Sequence, residues 1–570
     1  MDYPSSVSWI DLGNGVQINA AAWTPQAQRV LTPEAQALLA RLHRHLEAER
    51  QRLLAARATR QAAFDAGTRP AYLPDAVHPA ARTDWQIAPL PEDLLQRRVE
   101  ITGPVSDAKM VINMLSRTAD GHRADCAMLD FEDSMKPSWT NVMQGVENII
   151  GAVHGTLTHV KRASDGSVVK TYRLDPDDLP VIMARVRGLH LDESNVRVDG
   201  TPVSGALLDF ALCALHTARA QVERGRTPKY YVPKVEHYEE ARWYNTLMTA
   251  LEEATRLPHG TIKATFLIET LPAAYQMEEI LYEFRDHAAG LNGGRWDKIF
   301  SDIKTLRAHP DRVMADRATI GMNRPWMSNY ARQLIRVCHR HGAFGMGGMA
   351  AFTPGRTPER REEQTAKVVA DKEFEARIGH DGCWVSHPYF IGPALEPFAA
   401  RLAAQGTTHQ LTVLPDVPAH PDLMPTSEGP KTLAGLRTNV RVGIAYMKGW
   451  QQDIGCVAWD DLMEDLATLE ISRAQTWQWL HNAVSLDDGP TVTRDLVLGI
   501  FDEELTTIRG EIRSAMAGAS DEAVHQELGR YERAAATAAA IFTETEMRPF
   551  LTTRSELIGA ETPASLALPS

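Results

Sequence analysis

Between about residue 100 and residue 390, short apolar runs alternate with longer amphipathic stretches, the pattern of repeated strand–helix units around a parallel sheet. The runs at 109–113, 126–130, 181–185, 229–234, 262–268, 288–293, 342–346 and 383–386 are the expected strands. The stretches 206–224, 238–256 and 275–287 read as helices between them. Eight strands in this order predict an α/β fold, a (β/α)8 TIM barrel, with an open doubly wound sheet as the alternative. On either side the pattern is helical. Residues 33–66 have helical periodicity, and the Pro-rich stretch 69–91 cannot continue a helix. Beyond 390 a Pro-rich loop region runs through Pro430, followed by helical patterns at 434–452, 460–482, 492–516 and 520–545. The expected organisation is a helical N-terminal segment and linker (1–95), a barrel domain (96–395), a loop-rich connection (396–433) and a helical C-terminal domain (434–570).

A chain of 570 residues with 44% hydrophobic and 23% charged residues has the balance of a globular protein. Its net charge of −13 argues against a nucleic-acid partner, which asks for a basic face. Five scattered cysteines without a C-x-x-C pair signal neither a disulfide framework nor a zinc site. No secretory leader or membrane-length apolar run is read, and the tail Leu566–Ser570 is not a peroxisomal address. The expectation is a cytoplasmic protein with no membrane partner, and a homo-oligomer is open.

In a barrel the chemistry collects where the strands end. The second run closes in Asp130-Phe131-Glu132-Asp133, the third in Arg185-Val186-Arg187-Gly188 and the fifth in Glu269-Thr270, and the sixth is followed by Gly294-Arg295-Trp296-Asp297. One such carboxylate is usually a helix cap or a rim ion pair. Several on one rim, without cysteines or a His pair, favour a hard cation held through oxygen, of which Mg2+ fits best. Two other motifs are weaker. Gly345-x-Gly347-x-x-Ala350 formally matches a dinucleotide fingerprint, but Pro354 leaves no long helix after it. Cys338-His339-Arg340-His341 could pass for a metal tract, yet basic residues there suit a helix C-terminus.

At these residues the sequence resembles the malate synthase family, in its A isoform. The similarity runs through Arg97–Pro104, Asp130–Ser134, Arg185–Leu191, Gly260–Leu271, Gly294–Asp297, Met346–Ala351, His380–Val385, Leu462–Asp465 and Glu470–Arg473. It implies a Mg2+-dependent condensation of acetyl-CoA with glyoxylate and water to give malate and CoA, as in the glyoxylate cycle. By the same resemblance, Glu269 and Asp297 bind the Mg2+, Arg185 supports the developing enolate, and Asp465 is the catalytic base. Gly294, Arg295 and Trp296 hold glyoxylate, Trp384 packs near the acetyl group, and Glu132 and Asp133 surround metal waters. Gly293, Lys298, Cys383 and Leu466 depart from the usual family residues without removing a functional group. The alternatives are a citryl- or malyl-CoA lyase-like enzyme, which would lack a counterpart of the Asp465 domain, and a non-catalytic binding protein on the same scaffold.

Overall fold

A computed structural model describes residues 8–163 and 165–553, so the tail Leu566–Ser570 lies outside the described residues. The barrel strands are β1 (Val99–Pro104), β2 (Cys126–Asp130), β3 (Val181–Arg185), β4 (Lys229–Val232), β5 (Lys263–Ile268), β6 (Ala288–Gly293), β7 (Phe344–Ala350) and β8 (Gly382–Val385). Each pairs in parallel with its neighbours in the chain, and β8 closes on β1. The closed (β/α)8 barrel is the expected one, with one strand relocated. Residues 109–113 lie in the helix Ala108–Met114, because the Asp107 side chain accepts the Met110 N–H and caps a helix there. The strand lies earlier, at β1, where Glu100 breaks the apolar run. Inside the barrel Glu100 is buried against Arg97 and Tyr231, so the break is an internal polar pair rather than a loop.

The barrel interior is filled by Met128, Met183, Tyr231, Leu267, Phe344, Met346 and Trp384. The N-terminal segment adds a long helix, α1 (Pro33–Asp65), held by Arg57 on Glu240 at 2.6 Å and by Arg50 on Asp192 at 2.6 Å. It is not wholly helical: Trp9–Gly13 and Val16–Asn19 join Asp192–Val198 and Thr201–Ser204 in a four-stranded antiparallel sheet. Between β4 and β5 runs α2 (Tyr238–Thr255), and after β6 comes α3 (Arg295–Thr305). The expected helix 275–287 is two short ones, Leu271–Ala274 and Met277–Glu283.

The helix Ile391–Gln405 precedes the loop region, and among the described residues four α-helices follow it: α4 (Leu433–Trp450), α5 (Leu466–His481), α6 (Arg494–Ala515) and α7 (Asp521–Phe542). The stretch read as one helix from 460 begins instead as a hairpin, Val457–Trp459 against Leu462–Glu464. The C-terminal helices share their own core around Leu436, Ile444, Trp479, Phe501 and Phe542. A further cluster joins them to the barrel: Ile299, Phe300 and Ile303 of α3 pack with Ile471 and Ala474 of α5 and with Phe550. Hydrogen bonds cross the same boundary, from Leu466 N–H to the Asp133 carbonyl at 3.2 Å and from Met463 N–H to the Ala351 carbonyl at 2.7 Å. Among the described residues, no helix is long and apolar enough to cross a membrane.

Candidate active site

Strand register decides which polar side chains meet at the C-terminal rim. Pairing of β2 with β3 sets Asp130 beside Arg185, and pairing of β5 with β6 sets Ile268 beside Gly293, so Glu269 and Gly294 emerge together. Gly294 is required there, since a Cβ would lie 2.7 Å from the Glu269 Cβ and 2.8 Å from its Oε2. Gly294 also caps α3, placing Asp297 in its first turn. The first i to i−4 bond of α3 is Lys298 to Gly294, which leaves the N–H groups of Arg295, Trp296 and Asp297 without helical partners.

Arg185 is buried and binds Asp130 through two parallel hydrogen bonds, Nε to Oδ1 at 2.7 Å and Nη2 to Oδ2 at 2.6 Å. Its remaining nitrogen, Nη1, lies 3.6 Å from Glu132 and 3.9 Å from Asp133. Asp130 is held in turn by the N–H groups of Glu132 and Ser134. Burial alone would raise the Asp130 pKa, but Arg185 outweighs it and holds the carboxyl below its usual range. The Trp384 ring lies 5.5 Å from the Arg185 guanidinium, and its Nε1 donates to Glu100 at 3.1 Å. Arg187, two residues on, points elsewhere. It is buried against Asp209 and Glu193 at 2.8 Å each, which makes it a structural ion pair.

Lys234, just past β4, was not singled out by the sequence. Its ammonium lies among four buried acids: Asp133 at 2.6 Å, Glu132 at 3.1 Å, Asp297 at 3.1 Å and Glu269 at 3.6 Å. Its backbone adopts φ 56°, a left-handed conformation uncommon for a side-chain-bearing residue, and its N–H donates to Glu269 at 2.8 Å. Burial works against the ammonium charge, but the surrounding carboxylates outweigh it and push its pKa well up. Lys234 and Arg185 together do not balance these four acids and Asp130. Burial and mutual repulsion push Glu132 and Asp297 well above the usual carboxylate range; Asp133 Oδ1 is buried without a hydrogen bond, and Asp297 Oδ1 has only its ion pair with Lys234. Surplus negative charge and unsatisfied carboxylate oxygens are what a hard divalent cation would neutralise.

Asp465 arrives from the C-terminal helices as the N-cap of α5. Its Oδ1 accepts the Thr468 N–H at 3.2 Å, and the Thr468 hydroxyl accepts the Asp465 N–H at 3.0 Å, a reciprocal capping box. Oδ2 takes no hydrogen bond among the described residues. Burial and the neighbouring Asp133 push its carboxyl up to about 7, against the opposing pull of Arg185. Because the folded pKa lies above the unfolded one, the stability linked to this proton is lost as pH rises through about 7. Asp465→Asn, which keeps the cap, should therefore unfold at higher urea than wild type at about pH 8 with a chelator present, by on the order of 2 kcal/mol. The gap should narrow as pH falls below about 7 and close towards about pH 4, where the unfolded carboxyl also takes up its proton. Equal midpoints at both pH values would show that Asp465 is not held in this way.

Arg185, Glu269, Asp297, Asp465, Gly294, Arg295, Trp296 and Trp384 all line one cavity of about 540 Å³, whose lining also includes Asp133, Asp107, Lys109 and Arg117. Glu132 lies beneath it against Lys234. The two weaker motifs are absorbed by the fold. Gly345 to Ala350 lie within β7 rather than in a strand-to-helix turn. His339 and His341 end a helix and bind separate acids, Asp381 and Glu278.

Family models described as "Malate synthase, N-terminal domain", "Malate synthase, TIM barrel domain" and "Malate synthase, C-terminal" match residues 14–78, 181–421 and 430–556. Malate synthase A of Escherichia coli (strain K12) is 42% identical over 528 residues, covering 92% of this chain and 95% of that protein. Malate synthase of Myxococcus xanthus (strain DK1622) is 43% identical over 521 residues, covering 91% and 93%. The glyoxysomal malate synthase of Ricinus communis is 39% identical over 513 residues. With three consecutive domain matches and near full-length relatives at this identity, the chain belongs to the malate synthase family.

Proposed function

We propose that this enzyme condenses acetyl-CoA with glyoxylate and water to give malate and CoA, at the cavity between the barrel mouth and α5. The observation that carries this reading is the meeting of Arg185, Glu269, Asp297 and Asp465 in one cavity although they come from four separate chain segments. A lyase-like reading leaves Asp465 without a task. A binding protein would have no use for the buried, mutually repelling acids.

A thioester methyl is a weak acid, so its removal needs a base within reach and positive charge at the carbonyl oxygen. Asp465 takes the methyl proton on its free oxygen, and Arg185 faces the oxygen where negative charge develops. The enolate carbon then forms a bond to the aldehyde carbon of glyoxylate. Water later breaks the thioester C–S bond of the malyl-CoA, releasing malate and the CoA thiol. The glyoxylate carboxylate is held by the free N–H groups that begin α3, at Arg295 and Trp296 next to Gly294, where the helix dipole favours an anion. Trp384 closes the cavity beside the acetyl group. Glu269 and Asp297 would hold Mg2+, with Glu132 and Asp133 ordering its waters, and the bound ion would polarise the aldehyde as a Lewis acid. Lys109, which also lines the cavity, suits the anionic part of CoA. Five unpaired cysteines agree with a reducing compartment, and we place the enzyme in the cytoplasm.

Thiol release with acetyl-CoA and glyoxylate, with and without Mg2+, tests the reading; no release with Mg2+ present would overturn it. Glu269→Gln or Asp297→Asn should raise the Mg2+ concentration for half-maximal activity by at least about tenfold. An unchanged Mg2+ activation curve in both variants would remove these residues from the metal site.

A further inference from the structure

The opposite end of the barrel holds a cluster that the reaction does not use. We propose that His259, His287 and Glu252 form a second metal site, for a divalent transition ion of the Zn2+ class, at the N-terminal rim. Glu252 lies near the end of α2, His259 in the turn that follows it, and His287 directly before β6. They are the one group of three His, Cys, Asp or Glu side chains, among the described residues, whose ligand atoms lie within 4.8 Å of one another.

Two of the three spacings suit a tetrahedral ion, and the third lies within 4.8 Å. With zinc–nitrogen and zinc–oxygen bonds of about 2.0–2.1 Å, ligand atoms stand roughly 3.3–3.4 Å apart. Glu252 Oε2 lies 3.1 Å from His287 Nε2 and 3.4 Å from His259 Nδ1. The outer atoms are arranged as a supporting shell. His287 Nδ1 lies 2.7 Å from Asn245 Oδ1, and His259 Nε2 lies 3.4 Å from Asp286 Oδ2. When each outer nitrogen donates to its oxygen, each neutral ring turns a lone pair towards Glu252, which is the tautomer a metal requires. Glu252 is itself aimed by the N–H groups of Gly260 at 2.9 Å and Ile262 at 2.7 Å. Glu252 and His287 are buried, whereas the His259 side chain is 55% exposed, which opens a path for the ion and a place for a water ligand. Two imidazoles and one carboxylate select zinc-like ions over Mg2+. Bound there, the ion would tie the end of α2 to the entrances of β5 and β6, at the face of the barrel that serves stability.

The test is calorimetric titration of ZnCl2 into tag-free, full-length protein saturated with Mg2+, together with thermal unfolding of the same samples. One equivalent should bind saturably and raise the melting temperature. His259→Ala, a change at an exposed turn, should abolish that binding step while Mg2+-dependent turnover stays at the wild-type level. Asp286→Asn should weaken it about tenfold through the lost support. Glu269→Gln, at the barrel mouth, should leave it intact, which separates this site from the proposed Mg2+ site. The proposal is overturned by absence of saturable zinc uptake, by uptake that persists in His259→Ala, or by uptake that disappears in Glu269→Gln.

Discussion

Asp465→Asn should lower kcat at least about 100-fold while leaving the KM values for acetyl-CoA and glyoxylate within about twofold of wild type. Asparagine keeps the helix cap and the side-chain shape, so α5 should stay in place and the loss should fall on proton removal. Neither ligand should depend on this carboxylate for most of its contacts. The direct readout is exchange of the acetyl-CoA methyl protons with deuterated solvent, which the variant should no longer support. The pH profile gives a second readout. A base works only when ionised, so wild-type kcat/KM should fall on the acid side, with a limb at or below about 7, because a divalent cation beside Asp133 pulls the Asp465 pKa down. That limb should be missing in the variant. Near-normal turnover by Asp465→Asn would move the base to another acid at the mouth, with Glu132 and Asp133 next in line.

Arg185→Lys should lower kcat by about 10²–10³-fold, although the charge is kept. The guanidinium serves two directions at once: two of its nitrogens are fixed on Asp130 and the third is turned towards the acids at the mouth. A lysine has one ammonium. It either pairs with Asp130 and deserts the enolate oxygen, or reaches the cavity and leaves a buried carboxylate unpaired. Asp130→Asn, which loosens the orientation of Arg185 and removes no group facing the substrate, should cost less than Arg185→Lys. If Arg185→Lys turned over at the wild-type rate, enolate charge would be stabilised elsewhere, with Lys234, which shares Glu132 and Asp133 with Arg185, the next candidate.

The barrel was legible in the sequence because most of its strands are buried on both faces and read as continuous apolar runs. β1 was misplaced for the same reason: Glu100, paired inside the barrel, looks polar in the sequence, while Val111 and Ile112 look like a strand and belong to a helix started by Asp107. The hairpin before α5 was lost inside a longer helical pattern, since strands of three residues carry little periodicity. At the site, Glu269, Asp297 and Arg185 could be picked out as charged residues closing strands. Lys234 could not. Its role depends on a left-handed turn after β4 and on acids from three other strand ends, and neither is written locally. Asp130 stood in the quoted rim motif, but its pairing with Arg185 follows from register between strands about 50 residues apart in the chain, which a single sequence does not print.

The packing of α3 against α5 bears on how the rate can be tuned. Asp297 sits in the first turn of one helix and Asp465 caps the other, so the proposed metal ligand and the proposed base are mounted on two beams bolted flank to flank through Ile299, Ile303, Ile471 and Ala474. The alignment tolerance of the chemistry is then the tolerance of that joint. A slip of about 1 Å along it is enough to change turnover about 100-fold, so a larger side chain at the buried Ala474 can detune the enzyme without touching a substrate or a metal ligand, at a cost of about 1–3 kcal/mol in packing.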